Sequence, residues 1–321
     1  MKLAVLTSGG DAPGMNAAIR AIVRVAESHG HEVLGVQRGY HGLLEADVRR
    51  LGSRDVGNIL QKGGTILKTS RCREFLVEQG LRKAADCLEA QGVHALLAIG
   101  GDGTFRGCED LSRYWKGQLI GLPGTIDNDL FGTDRTIGFD TAVTTAMEAL
   151  DKIRDTAEAH ERFFLIEVMG RHAGFIALEV GITGGAEEIL VPEHPPDLQA
   201  ICNRLCAGRQ AGKTSSLIVV AEGAYPGGAQ AAAEALRNLS GNEYRICILG
   251  HLQRGGTPTA GDRLLATRLG AQAVEAAMAG KNRVMVGEIG SQPSFIPLAE
   301  TFGKKKALDL KLLDLIGRLA I

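Results

Sequence analysis

Three glycine-rich loops in this 321-residue chain carry acids and hydroxyls at spacings suited to phosphate chemistry. The first, Thr7-Ser8-Gly9-Gly10-Asp11-Ala12-Pro13-Gly14-Met15-Asn16, follows an apolar run and opens a segment of helical periodicity. Free backbone N–H groups and the helix dipole favour an anion there, with Gly10 as the position of closest backbone approach. The spacing is neither GxGxxG nor GxxxxGK[ST], so on spacing alone a phosphate cradle and a plain tight turn stand level. The second loop, Ala98-Ile99-Gly100-Gly101-Asp102-Gly103-Thr104, sets one carboxylate among three glycines. A bare Asp would repel a phosphate; it makes sense holding Mg2+ that neutralises phosphate oxygens, or, more plainly, capping the next helix. The third, Pro123-Gly124-Thr125-Ile126-Asp127-Asn128-Asp129, places two carboxylates two residues apart. One can face a substrate and the other a metal, although such a triplet alone also reads as a turn or a Ca2+-like site.

Basic residues recur near the ends of apolar runs: Arg71, Arg162, Arg171, Arg245, His251 and Arg254. Arginine suits bidentate phosphate recognition, whereas a lone arginine is commonly a solvated charge, so the context Met169-Gly170-Arg171 and Gly250 to Gly256 carries the weight. Glu222 ends another apolar run, placed either to accept hydrogen bonds from sugar hydroxyls or to cap a helix. Arg20 and Arg24, four apart, together with Arg154, Glu187 and Lys213, read on spacing alone as a solvated polar face.

The elements that must position these loops are short apolar runs over 2–7, 32–37, 95–100, 118–122, 163–168, 188–191, 217–221, 245–249 and 284–288. Helical patterns lie between them, one placing Met15, Ala18, Ile19, Ile22, Val23 and Ala26 on a stripe and another over 142–153 with Asp140 as its cap. Alternating strand and helix predicts an α/β fold of two doubly wound parallel-sheet domains, with ligands at the carboxyl ends of the strands. No Ser/Pro-rich linker marks a boundary; residues 142–159 could carry the chain into a second lobe and 250–256 carry it back.

Composition narrows the function classes. The net charge is −1, from 36 Lys plus Arg against 37 Asp plus Glu, so no global field recruits a nucleic acid or an anionic membrane. Six scattered cysteines without CxxC pairs suggest neither a disulfide framework nor a zinc site. No membrane span or leader pattern is present, which makes a cytoplasmic location the expectation. Glycine, at 43 residues, points instead to tight turns and close backbone approach to a ligand.

In order along the chain, TSGGDAPGMNAAIR, GGTIL, GGDGT, PGTIDND, GTDRTIGFDTA, IEVMGRHAG, AEG and GHLQRGGTPTAGDR resemble the bacterial ATP-dependent 6-phosphofructokinases over about residues 1 to 285. The resemblance implies transfer of the ATP γ-phosphate to the 1-hydroxyl of fructose 6-phosphate, with Mg2+, in an allosteric homotetramer whose active sites lie in the cleft between domains and are shared between subunits. It implies a larger ATP-binding domain over 1–138 plus 251–300 and a smaller sugar-phosphate domain over 139–250 plus 301–321. Asp127 is then the base, with Arg71, Thr125 and Arg171 at the transferring phosphoryl. The nucleotide lies against Gly10, Arg71, Cys72, Gly101, Asp102, Gly103 and Thr104, with Gly107 leaving room for the adenine end. Asp102 holds the metal, with Asp129.

For the sugar phosphate, the resemblance assigns Thr125, Ile126, Asp127, Met169, Gly170, Arg171, Glu222, His251, Leu252, Gln253 and Arg254, with Arg162 and Arg245 reaching in from a neighbouring subunit. An effector site for ADP or phosphoenolpyruvate falls on Arg20, Arg24, Arg154, Gly185, Ala186, Glu187, Lys213 and Ser215. The sequence departs from the family there: Ala211 replaces a basic residue and Ser215 a histidine. Leu76 stands where some relatives carry Arg, and the tail after about Gly287 is not family-like. Pyrophosphate-dependent relatives tend to carry Asp at Gly103 and Lys at Gly124; two glycines here favour ATP. A different sugar phosphate as acceptor is one alternative. A non-catalytic nucleotide or sugar-phosphate sensor is another, disfavoured because Asp102, Asp127, Asp129, Arg71 and Arg171 are all present.

Overall fold

A computed structural model describes residues 1–319. In chain order the elements are β1 (Lys2–Thr7), α1 (Met15–Ser28), β2 (Glu32–Val36), α2 (Tyr40–Leu44), β3 (Val48–Leu51), α3 (Glu78–Ala90), β4 (Ala95–Gly100), α4 (Asp102–Leu111), β5 (Gln118–Pro123) and α5 (Phe139–Ala159). There follow β6 (Phe163–Val168), α6 (Phe175–Thr183), β7 (Glu188–Leu190), α7 (Leu198–Gln210), β8 (Ser216–Ala221), α8 (Gly228–Ser240), β9 (Tyr244–Ile248), α9 (Ala260–Met278), β10 (Val284–Ile289), β11 (Gln292–Pro297), α10 (Leu298–Gly303) and α11 (Lys311–Leu319). Two units form. One comprises Met1–Ile126, Leu130–Thr141 and Arg254–Lys306; the other comprises Asp127–Asp129, Ala142–Gln253 and, among the described residues, 307–319.

The first unit is built on a sheet of order β11-β10-β5-β4-β1-β2-β3. Its five inner strands are parallel, and β1 and β4 are apolar runs buried on both faces, as strands covered by helices on either side must be. The expectation of a purely parallel sheet is corrected at both edges, where β3 and β11 run antiparallel. Neither was read from the sequence. β3 is four residues with two exposed arginines, and β11 carries Pro293 and Pro297, a composition that survives only at an edge. The β10–β11 hairpin turns through Gly290 and Ser291, both at positive φ, as a two-residue loop matched to the strand twist requires.

The chain leaves β1 for β2 on one side, whereas β4 and β5 lie on the other. This reversal puts a crevice at the carboxyl ends of β1 and β4, where open α/β sheets place ligands. The stripe predicted on α1 is buried as expected, and α1 packs closely on α9 because Gly270 presents no side chain to Ala18 and Ala21. The helix expected from 142 begins earlier, at Phe139, and Asp140 lies inside it rather than capping it. Its first turn is held instead by Asp262 of α9, which is 1% exposed. Asp262 Oδ1 accepts from Gly138 N at 2.8 Å, and Oδ2 accepts from Thr141 N at 2.8 Å and from the Thr141 hydroxyl at 2.5 Å. A carboxylate from far along the chain thus satisfies N–H groups that a helix start leaves open.

The second unit carries a parallel four-stranded sheet, β7-β8-β6-β9, with β8 wholly buried. The Glu167 carboxylate accepts from Ala229 N at 2.7 Å and so anchors the start of α8.

Candidate functional site

In the first unit, the three predicted loops meet at neighbouring strand ends. Ser8 N donates to Ile99 O at 3.0 Å and Gly124 N to Gly100 O at 2.9 Å, locking the β1, β4 and β5 loops into one rim. The Thr104 hydroxyl donates to Ser8 O at 3.1 Å across the β1–β4 seam. Gly100 has no room for a side chain: a Cβ there would overlap Thr104 Oγ1 and press on Ser8 O. Gly124 is closed in the same way, at 2.7 Å from Ile99 Cγ2, whereas a Cβ at Gly103 would meet nothing within 4 Å. The Gly9 backbone, at φ 86, turns the first loop towards α1.

The GGTIL segment is stapled beneath this rim by Asn16, 1% exposed, whose Nδ2 donates to Lys62 O at 3.0 Å and whose Oδ1 accepts from Ile66 N at 2.8 Å. The Thr69 hydroxyl donates to Gly9 O at 2.8 Å, which brings exposed Arg71 and half-buried Cys72 on from the β1 loop. Arg254 lays its guanidinium over Gly10, occupying the place a Cβ would take, and its Nε is buried without a hydrogen-bond partner. The room expected at Gly107 is taken, on its side-chain side, by Tyr40 and Phe75, whose rings stack at 3.9 Å. Tyr40 also donates its hydroxyl to Thr104 O at 2.5 Å, and burial pushes its phenol well above the ordinary range.

Asp102 is the first residue of α4, so a carboxylate and the open N–H groups of a ten-residue helix share one place. Among the described residues no three His, Cys, Asp or Glu side chains gather as a metal cage. Mg2+ usually takes one or two carboxylates plus phosphate oxygens and water, so a single hard-oxygen carboxylate beside glycine-rich loops fits a metal that arrives with a nucleotide.

In the second unit, Asp127 is 5% exposed, and its Oδ2 lies 3.5 Å from Arg171 Nε. Arg171 is held at φ 52, an uncommon backbone for a side-chain-bearing residue, with its N–H donating to Glu222 Oε1 at 2.7 Å. Glu222, read from sequence as a sugar-hydroxyl acceptor or a helix cap, therefore also fixes the arginine. Gly170, at φ 135, permits the turn before it, and Met169 N donates to Oε1 of fully buried Gln253 at 3.4 Å. His251 and Leu252 are exposed, Asp129 is half-buried, and Thr125 and Ile126 end the preceding segment of the first unit.

Arg162 and Arg245 are placed apart from this cluster. Both are exposed at the amino ends of β6 and β9, whereas Met169 to Arg171 follow the carboxyl end of β6. A six-residue strand separates them by ~20 Å. Of the residues expected at an effector site, Arg154 Nη2 donates to Gly184 O at 2.5 Å and Gly185 O at 2.7 Å. Lys213 Nζ lies 3.8 Å from Glu187 Oε1, beside a cavity of about 890 Å³ that α7 and α11 also line. Ala186 is buried and Ser215 half-buried, while Arg20 and Arg24 lie one turn apart on α1 of the first unit.

A family model described as Phosphofructokinase matches residues 2–277. The chain belongs to that family. It is 57% identical over 320 residues to the ATP-dependent 6-phosphofructokinase 1 of Thermus thermophilus, covering 100% of this chain and 99% of that one. It is 50% identical over 321 residues to the ATP-dependent 6-phosphofructokinase of Brevibacillus brevis, again covering 100% and 99%. Among solved structures, phosphofructokinase from Saccharomyces cerevisiae superposes with a TM-score of 0.88 at 37% identity, over 100% of this chain and 48% of the yeast chain. As a phosphofructokinase, the chain shows its glycine loops plainly in sequence. Tyr40 and Arg106, which support or adjoin those loops, lie outside the motifs read from sequence, whereas Asn16 and Asp262 stand in TSGGDAPGMNAAIR and GHLQRGGTPTAGDR without an assigned role.

Proposed function

We infer that this chain is an ATP-dependent 6-phosphofructokinase, transferring the γ-phosphate of ATP to the 1-hydroxyl of fructose 6-phosphate and yielding fructose 1,6-bisphosphate and ADP. The reading is carried by end-to-end identity of 57% to an ATP-dependent relative. Phosphoryl transfer demands mainly positioning and charge stabilisation. Asp127 takes the proton of the sugar 1-hydroxyl as that oxygen attacks phosphorus and the bond to the bridging oxygen of ADP breaks. Gly10 N–H, Arg71, Thr125 and Arg171 receive the charge of the transferring phosphoryl. Gly101, Gly103 and Thr104 take the nucleotide at the start of α4, with Cys72 and Gly107 flanking it. Asp102, with Asp129, would hold Mg2+, which supplies neutralising charge to the phosphate oxygens. Ile126, Met169, Gly170, Glu222, His251, Leu252, Gln253 and Arg254 hold the sugar phosphate.

The wide separation of Arg162 and Arg245 from Arg171 supports their serving a neighbouring subunit's site, within a homotetramer. Arg20, Arg24, Arg154, Gly185, Ala186, Glu187, Lys213 and Ser215 form the effector site for ADP or phosphoenolpyruvate. No helix among the described residues is long and apolar enough to cross a membrane, and a cytoplasmic setting is part of this reading.

The test is formation of fructose 1,6-bisphosphate with ATP or pyrophosphate as donor: turnover with ATP alone is expected, and turnover with pyrophosphate alone would overturn the reading. Gly103→Asp sharpens it. Its Cβ enters open space, so the melting temperature stays close to that of the parent, while an anion beside the nucleotide phosphates raises the KM for ATP roughly tenfold or more.

A further inference from the structure

Arg106 has no assigned task in the reaction, yet its guanidinium is engaged by a carboxylate, a backbone carbonyl and an aromatic ring. Resting on Asp102 as the carboxylate that meets the metal–nucleotide, we propose that Arg106 is a positioning residue that orients Asp102 and ties it to α10. Its Nε donates to Asp102 Oδ1 at 2.8 Å, and its Nη2 donates to Phe302 O at 3.2 Å. Its guanidinium carbon lies 4.4 Å from the centre of the Phe302 ring.

A solvated pair one helical turn apart holds two flexible side chains and contributes little. Here the two side chains are 53% and 49% exposed, so the value of the bond is not bulk stability. Its value is geometric: the Phe302 carbonyl and ring fix the guanidinium from an element 196 residues away, and the fixed Nε then selects the rotamer of Asp102. Engagement of Oδ1 leaves Oδ2 for a metal or its water. Outer partners of this kind orient carboxylate ligands, and their loss typically weakens metal binding by 10–100-fold.

The sign of the effect separates orientation from charge. A positive charge one turn from a metal carboxylate repels a cation, so removing a mere charge tightens metal binding; removing an orienting bond weakens it. The experiment uses the full chain with a non-hydrolysable ATP analogue, reading Mn2+ affinity by electron paramagnetic resonance and, separately, the Mg2+ concentration for half-maximal turnover. Arg106→Met is expected to raise the Kd for Mn2+ and the half-maximal Mg2+ concentration by ~10-fold each, at the low end of the outer-partner range because the pair is half exposed. kcat at saturating metal falls far less than metal affinity. Arg106→Lys recovers part of the loss, and Phe302→Leu, which keeps the carbonyl but removes the ring, shifts affinity in the same direction by a smaller factor.

Unchanged or tighter Mn2+ binding in folded Arg106→Met, or in Phe302→Leu if Arg106→Met does not fold, overturns the proposal. Absence of metal-dependent analogue binding in the parent protein would instead remove the reading of Asp102 on which it rests.

Discussion

Asp127→Asn lowers kcat by about 10²–10⁴-fold, the range a positioned general base contributes, while the half-saturating concentration of fructose 6-phosphate moves by only a few-fold. The amide is nearly the size of the carboxylate it replaces, and at 5% exposure the site has little freedom to rearrange around it. On the proposed reading, what disappears is the acceptor for the hydroxyl proton. Arg171 keeps its backbone anchor on Glu222, so the guanidinium loses a neighbour at 3.5 Å but not its place. A coupled assay over a range of sugar phosphate and ATP concentrations separates kcat from KM. A loss below tenfold would leave Asp127 as a binding group and send the proton elsewhere.

Asp262→Ala is expected to cost about 3–5 kcal/mol of stability, since each buried donor left without an acceptor costs about 1–3 kcal/mol. It strips three donors, Gly138 N, Thr141 N and the Thr141 hydroxyl, of their acceptor at a site 1% exposed. Asp262→Asn does nearly as much harm, because one end of an amide is itself a donor and must face donors. Burial is the main cause raising the Asp262 carboxyl above its ordinary value of 3.8, opposed by the hydrogen bonds from Thr141 and Gly138. The folded chain therefore holds this proton to higher pH than the unfolded chain does. Its contribution to stability is full below the ordinary carboxylate value and declines as pH rises through the raised folded value. Urea unfolding of the parent and the asparagine variant across that window should show the parent's margin shrinking with rising pH; a widening margin would contradict the assignment.

The strands that bear the loops were legible because apolar runs such as Ala95 to Gly100 are buried on both faces, and burial leaves little choice of residue. The edges were not. Val48 to Leu51 and Gln292 to Pro297 are shaped by avoidance of further pairing, which puts arginines and prolines where a strand pattern would be sought. The same division runs through the site. Gly10, Asp102, Thr104 and Asp127 stand in local motifs, readable from neighbours in sequence. Asn16, Asp262 and Arg106 act through bonds that span some 46 to 196 positions, and only a folded chain displays those. The cap of α5 shows how the two can be confused: Asp140 has the right type and place, yet the Thr141 N–H is met by Asp262, 121 residues beyond Thr141. Gly107 shows the converse, a glycine singled out in a local motif whose missing side chain also accommodates Tyr40, a contact that the motif does not show.

The unequal freedom of the glycines in these loops bears on how this rim can change over evolutionary time. At Gly100 any side chain would wedge the β1 and β4 loops apart, and at Gly124 one must displace Ile99. Gly103 alone among the three opens onto empty space. A lineage can therefore place side chains at Gly103 by single mutational steps that leave the fold intact, whereas at Gly124 it needs a compensating change first. The order in which the two sites diverge is thus constrained by packing: the outward-facing glycine is free to vary early, and the inward-facing one follows.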